Sequence, residues 1–384
     1  MERLAWGLVG GGEDSQIGFA HRAGATLDRR FELVAGAMDA DPARGREYAK
    51  RIGVEPDRAY GDWREMLDGE RIRDDRPHLV TVATPNATHF EISKSYLEAG
   101  FHVLCEKPLT MTPDSAWELC KIARANGRIL AVNYGYSGYP MLRQAKAMVR
   151  RGELGRIRVV VAEFAGGFLA DARDMENPRV KWRFDPEQVG VSSITGDAGI
   201  HALHAACFAT GQNVRSLSAD FATGIEGRKL EDDSLIAFRM TSGTVGRLWS
   251  SGLAIGRAHG LTLQIFGERG GLQWQQEHPG QIKWTPLGEA TQILEKGGSN
   301  LHPEAERAAR IPIGHPEGMV FAFSNIYRDL ADVIASALNG REPDPLALDF
   351  PRATDGAHSI DAIHAAAKSA ELNGIWTEVP QRSI

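Results

Sequence analysis

The hydrophobic pattern of this chain changes period once, and that change constrains the fold more than any other feature. Up to about residue 137, short apolar runs (4–9, 31–38, 79–83, 102–105, 129–133) alternate with helical stretches (18–30, 41–52, 62–67, 87–99, 112–126). Strands separated by helices imply βαβ units and a parallel sheet. A helix at 140–151 follows. Apolar and polar residues then alternate at every second position over 158–164, 216–223, 234–241, 244–252, 261–266 and 272–276. Turns such as Ser242-Gly243 and Arg269-Gly270-Gly271 join neighbouring segments. This is the pattern of antiparallel strands with one buried face. Residues 286–316, rich in Gly, Pro and polar side chains, read as a long functional or mobile loop. Helices at 317–339 and 352–373 follow, stopped by Gly340 and Gly374. The expected fold is α/β with two domains, 1–137 and 138–384, the last helix being free to pack back on the first.

Composition narrows the class. At 42% apolar and 24% charged residues, 384 residues can build a sizeable core. The net charge of −6 and pI of about 6.1 argue against nucleic-acid or anionic-membrane partners. No apolar run is long enough to span a bilayer. The start, MERLAWGLVGGGED, lacks the basic and apolar regions of a signal peptide. Cys105, Cys120 and Cys207 form neither a disulfide framework nor a CxxC knuckle, and reduced thiols fit a cytoplasmic protein. No HExxH or Cys/His cluster is present, so no metal is expected. Glycine is in excess, 42 residues without a period, and marks turns or places where the backbone approaches a ligand.

One such place lies between the first strand and first helix. Gly10-x-Gly12 is followed, after five residues, by Gly18. A glycine-rich turn leading into a helix N-terminus suits a pyrophosphate and marks a doubly wound Rossmann sheet. The gap to Gly18 is about three residues longer than in GxGxxG, so an ordinary glycine-rich turn is the competing reading. Asp39, at the end of the second strand and 21 residues beyond Gly18, has the spacing of a carboxylate that binds the adenosine ribose. A carboxylate there repels a 2′-phosphate and favours NAD over NADP. Its bland alternative is a helix N-cap, a role that Asp41 before Pro42 fills equally well.

Three further stretches carry a resemblance. Ala83-Thr84-Pro85-Asn86-Ala87-Thr88-His89 follows one strand and Cys105-Glu106-Lys107-Pro108 the next, and Gly196-Asp197-Ala198-Gly199-Ile200-His201 lies in the second domain. Together with the glycine-rich start, they resemble the Gfo/Idh/MocA family, the glucose–fructose oxidoreductase and inositol dehydrogenase group, essentially end to end. The resemblance implies a second domain of α+β type with a large, mostly antiparallel, open-faced sheet, and a homodimer or homotetramer. It maps Lys107, Asp197 and His201 onto a catalytic trio. It places Thr84, Pro85, Asn86 and His89 on the cofactor side, Glu106 beside the nicotinamide ribose, and Trp182 and Arg183 near the nicotinamide. It also implies a cis Lys107–Pro108 peptide. Asn133 ends a strand at the same sheet edge.

The chemistry asks for the trio independently. Oxidation of a secondary alcohol needs a base for the hydroxyl proton and positive charge where the oxygen becomes alkoxide-like. His201 can be the base, Lys107 the charge, and Asp197, four residues before His201, shares its helix face. Some family members give the proton to Lys instead. Taken singly, each has a plain alternative: a solvated turn lysine, a helix-start aspartate, a core histidine.

Departures from the family pattern bear on the substrate. His204 stands where an Asp is frequent, and the joining stretch Tyr134-Gly135-Tyr136-Ser137-Gly138-Tyr139-Pro140 has no basic residue. Tyr136 and His204 are therefore expected to line a site for a neutral polyol, sugar or glycoside, in a subgroup acting on inositols or glucoside 3-hydroxyls. Residues 314–318 either face the cleft or open a helix with Pro316 and Glu317 in its first turn. Competing functions are an NAD(H)- or sugar-sensing protein without catalysis, and an oxidoreductase whose tightly held NAD is recycled by a second sugar.

Overall fold

The computed structural model describes residues 3–177 and 180–384; Met1 and Glu2, which open the stretch read for a leader, lie outside them. The first half builds β1 (Leu4–Gly10), α1 (Gln16–Leu27), β2 (Phe31–Ala37), α2 (Pro42–Arg51), α3 (Trp63–Glu70), β3 (Leu79–Ala83), α4 (His89–Glu98), β4 (His102–Glu106), α5 (Pro113–Ala125) and β5 (Leu130–Asn133). Its five strands are parallel in the order β2-β1-β3-β4-β5. Every residue of β3 is buried, because helices cover both faces of a parallel sheet. The order reverses between β1 and β3, and the carboxyl ends of β1, β3, β4 and β5 leave Gly10, Ala83, Glu106 and Asn133 along one edge.

The second half adds α6 (Pro140–Arg150), β6 (Ile157–Ala165), α7 (Pro186–Val189), α8 (Ile200–Thr210), β7 (Val214–Ala222), β8 (Asp233–Met240), β9 (Val245–Ser251), β10 (Leu261–Gly267), β11 (Gly270–Gln275), β12 (Gln281–Pro286), β13 (Gln292–Glu295), α9 (Pro303–Ala308), α10 (Met319–Leu338), α11 (Ala353–Glu371) and β14 (Thr377–Glu378). The nine strands pair antiparallel except for β6 with β9, in the order β13-β12-β11-β10-β6-β9-β8-β7-β14. Alternate residues of β8, such as Ser234, Ile236, Phe238 and Met240, are buried, while Leu235 on the other face is 56% exposed. Helices α6 and α8 share the buried face with the sheet core.

Both late helices reach the first sheet. Helix α10 packs on α1, with Tyr327 edge-on to Trp6 and Phe31. Helix α11 lies between α5 and β7, and Trp117 Nε1 donates to Asp361 Oδ2 at 2.8 Å.

The stretch 286–316 is not a structureless loop. It contains β13 and α9, and Lys296 and Glu317, each 2% exposed, form an ion pair that closes it. A buried charge pair organises this region, which is rich in Gly, Pro and polar side chains. Glu317 also corrects the reading of 314–318. Helix α10 begins only at Met319, and the Glu317 carboxylate accepts the backbone N–H groups of Arg310 (2.8 Å) and Ile311 (2.9 Å). Among the described residues no helix is long and apolar enough to cross a membrane.

Candidate active site

The cofactor edge is built from main chain. Gly10 has φ +78°, and a Cβ there would lie 2.3 Å from the Ala83 carbonyl oxygen. A Cβ on Gly18 would lie 2.1 Å from the Gly11 oxygen, so only glycine lets α1 seat against the turn. Helix α1 starts at Gln16 rather than near Gly18. The extra residues of the motif form its cap and first turn, and Ser15 Oγ accepts the Gly18 N–H at 3.0 Å. The tight approach and helix N-terminus of a pyrophosphate site are thus intact despite the spacing. Gly12 lies against Met38 and Asp39 at the end of β2. The Asp39 carboxylate accepts the Asp41 N–H and pairs with Arg44 at 2.7 Å, while Asp41 caps α2. This is an edge that fits an adenosine ribose and a pyrophosphate.

The loop after β3 runs along the same edge. Thr84 Oγ1 accepts from Thr88 Oγ1 at 2.8 Å, Pro85 is exposed and Asn86 is half-buried. Asn86 does not cap α4, which has no side-chain cap. His89 is fully buried. Its Nδ1 lies 2.8 Å from the Pro108 carbonyl and its Nε2 2.9 Å from the Thr84 carbonyl. Carbonyl oxygens only accept, so both ring nitrogens must donate and the imidazole is protonated. Burial opposes that charge, but Cys105 and the two carbonyls outweigh it and push the group up to about 9. His89 therefore ties the Thr84 loop to the turn after Lys107 rather than facing a ligand.

Glu106 is likewise spent within the chain. Its Oε1 meets His21 Nε2 (2.9 Å) and Asn133 Nδ2 (2.5 Å), and its Oε2 accepts the Lys107 N–H (3.1 Å). His21 continues through Tyr327 and Thr81 to Trp6. These contacts give the carboxylate expected beside the nicotinamide ribose an anchoring role that sets the backbone of Lys107. Asn133 keeps a buried Oδ1 without a partner at the sheet edge. His21 gave no signal in the sequence, being a single histidine on a helix.

The second half brings the remaining groups to Lys107, across the cis Lys107–Pro108 peptide. Lys107 Nζ lies 2.5 Å from Asp197 Oδ1 and 2.8 Å from the Asp197 carbonyl. Arg183 Nε meets the other carboxylate oxygen at 3.0 Å, and its guanidinium stacks on Trp182 at 4.6 Å. Burial works against the Asp197 charge, but Lys107 and Arg183 overcome it and hold the carboxyl well below its usual range. Asp197 sits in a wide π-type turn, Thr195–Gly199, that leads directly into α8. Buried Glu231 fixes its approach by accepting from Ser192 Oγ (2.6 Å) and Thr195 N–H (3.0 Å).

His201 occupies the first turn of α8, and its Nδ1 is buried without a partner. Burial first, and then the Lys107 charge, push its pKa well down, so the ring is neutral. Tyr136 stands edge-on to it at 4.7 Å and meets His259 Nε2 through its hydroxyl at 2.9 Å. Phe164 stacks on His259 at 4.6 Å, which completes an aromatic wall. His259 is a further site residue that sequence reading missed, since it sits on a turn before β10 with no motif around it. His204 does not join this wall. It stacks on Tyr134 at 3.9 Å and lines a separate cavity. Among the described residues no group of three or more His, Cys, Asp or Glu is placed to hold a metal ion.

This geometry has relatives. Residues 4–134 match the model of an oxidoreductase family with an NAD-binding Rossmann fold, and residues 142–273 match the GFO/IDH/MocA C-terminal domain. An inositol dehydrogenase homolog from Azotobacter vinelandii, solved with NADH and myo-inositol, is 38% identical with a TM-score of 0.90, covering 98% of each chain. The uncharacterized oxidoreductase YfiI of Bacillus subtilis is 35% identical over 98% of this chain and 96% of its own. Levoglucosan dehydrogenase of Pseudarthrobacter phenanthrenivorans is 25% identical over the full length of both chains.

Proposed function

The chain belongs to the Gfo/Idh/MocA oxidoreductase family, and from that premise we propose that it oxidises a secondary hydroxyl of a sugar, glycoside or inositol to a ketone. The observation that carries this reading is the Lys107–Asp197–Arg183 cluster beside a neutral, unpartnered His201. Gly10, Gly12 and Gly18 hold the pyrophosphate, and Asp39 binds the adenosine ribose and selects NAD over NADP. Bound there, NAD supplies a hydride acceptor at the nicotinamide.

Each residue then has a task. An ammonium group has three donors, and Lys107 spends two on Asp197. The third is left for the substrate oxygen, where it stabilises the negative charge that develops as the C–H bond breaks. His201, neutral at pH 7, takes the hydroxyl proton. Asp197, fixed between two cations, keeps Lys107 aimed. The cluster carries a net positive charge, as an alkoxide-like transition state requires.

The wall of Tyr136, Phe164 and His259 is built of rings, with burial holding His259 below its ordinary value, and it suits an uncharged ring. This supports an inositol or the 3-hydroxyl region of a glucoside as substrate. The cleft is read as lying between domains 1–137 and 138–384. The exposed face of the nine-stranded sheet is read as the surface that pairs copies into a dimer or tetramer, and the free cysteines are read as those of a cytoplasmic protein.

The test is a panel of inositols, monosaccharides and glycosides with NAD+, followed by NADH absorbance. At least one neutral polyol should give NADH. Failure of all of them, with NAD+ bound, contradicts the reading.

A further inference from the structure

One turn beyond His201, helix α8 closes a cavity of about 370 Å³ whose lining includes none of Lys107, Asp197, His201 and Tyr136. Its walls come from α6, α8, the start of β7 and the first turns of α11. His204 faces it, is only 4% exposed, and has no hydrogen-bond partner at either ring nitrogen. With no protein partner, its ring nitrogens open onto the cavity, and polar groups placed so are ordinarily completed by a ligand or water.

The lining specifies the chemistry of an occupant. Lys146 is neutralised by Asp349 at 2.5 Å, and Arg352 shares the wall with Asp355. The charges balance, so neither an anion nor a cation is favoured. Burial, with the Lys146 charge, drives His204 down to about 3, so the ring is neutral, with one donor and one acceptor. Thr354 offers the same dual character, while Ser359 Oγ, which donates to the Asp355 carbonyl at 2.8 Å, is left to accept. A hydroxyl is the group that donates and accepts at once, and Leu203 supplies apolar surface for the C–H face of a ring, while the Phe208 ring lies under the Lys146 ammonium at 4.0 Å. The volume is within the range of small-ligand sites.

We propose that this cavity is a second binding site, for an uncharged cyclic polyol or sugar, held by His204 and the hydroxyls of α11 and coupled to the active site through α8. The coupling path is short: His204 stacks on Tyr134 at 3.9 Å, and Tyr134 stands edge-on to His201 at 6.0 Å. An occupant that moves His204 therefore acts on the ring that flanks the proposed base. The binding claim rests on the cavity alone; only its effect on turnover rests on the function proposed above.

The experiment is histidine-ring NMR on the NAD+-loaded protein, titrated separately with myo-inositol and methyl β-D-glucoside. The His204 signal is assigned by its disappearance in His204→Phe, which preserves the stack on Tyr134. The expected result is a saturable His204 shift with at least one probe, abolished in Thr354→Trp, where the indole occupies the cavity. Equilibrium dialysis should count one more polyol per chain in the wild type than in His204→Phe, whose second site weakens about tenfold or more. A His204 signal unmoved by both probes overturns the proposal. So does a shift that persists in a folded Thr354→Trp, or an equal polyol count in wild type and His204→Phe. NADH formation is scored separately, so absence of turnover with the His204 shift intact would remove the catalytic reading and leave this one.

Discussion

The two halves of the molecule solve the problem of holding a site in different ways. At the cofactor edge the determinants are backbone: Gly10 and Gly18 are fixed by contacts of 2.3 and 2.1 Å that any Cβ would make, and the N-terminus of α1 does the rest. At the proposed catalytic cluster, where Lys107 of the first half meets residues of the second, the determinants are side chains drawn from separate elements. Lys107 comes after β4, Arg183 from the segment before α7, Asp197 from a π-type turn, His201 from α8 and His259 from the turn before β10. Backbone recognition fixes where a ligand common to many enzymes lies. Side-chain clusters can be exchanged one residue at a time, and they set the chemistry and the substrate.

Substitutions can break this contrast in graded steps. Lys107→Ala removes the proposed oxyanion partner and should lower turnover about 10³-fold while NAD+ binding, read by fluorescence titration, stays near wild type. Gly18→Val should act oppositely, costing at least about 3 kcal/mol of stability in denaturant melts and abolishing NAD+ binding, because the clash is with backbone.

His89 sharpens the comparison, since it is a side chain serving the cofactor edge. His89→Gln can satisfy only one of the two carbonyls by donation and should cost about 1–3 kcal/mol. Its pKa is raised in the folded state, so its contribution is complete below the unfolded value of about 6.5 and is lost as pH rises through about 9. Melting temperature should therefore fall more steeply on the alkaline side in wild type than in His89→Gln.

The same contrast explains what the sequence made legible. Glycine spacing and the Asp39 offset are one-dimensional signals, because backbone turns depend on neighbours in the chain. The parallel and antiparallel halves were readable for the same reason, since their apolar periods differ. The Lys107, Asp197 and His201 positions were legible through short motifs, but their mutual geometry was not. Arg183 on Asp197, His259 on Tyr136 and the His21–Glu106 anchor join residues 14, 123 and 85 positions apart, and no local pattern encodes such pairs. His204 misled for a related reason. It lies three residues past His201, yet its ring turns to Tyr134 and a different cavity. The order in 286–316 was hidden because Lys296 and Glu317 do there what apolar residues do elsewhere.

The central claim is this division of labour, and a crossed measurement tests it most directly: NAD+ dissociation constant and saturating turnover, determined side by side for His201→Ala and Asp39→Ala. His201→Ala should keep its NAD+ affinity within about twofold and lose turnover about 10²–10⁴-fold. Asp39→Ala should bind NAD+ about tenfold more weakly yet turn over near the wild-type rate once saturated. If His201→Ala retains wild-type turnover, or if both variants lose affinity and turnover together, the two halves do not divide the work in this way.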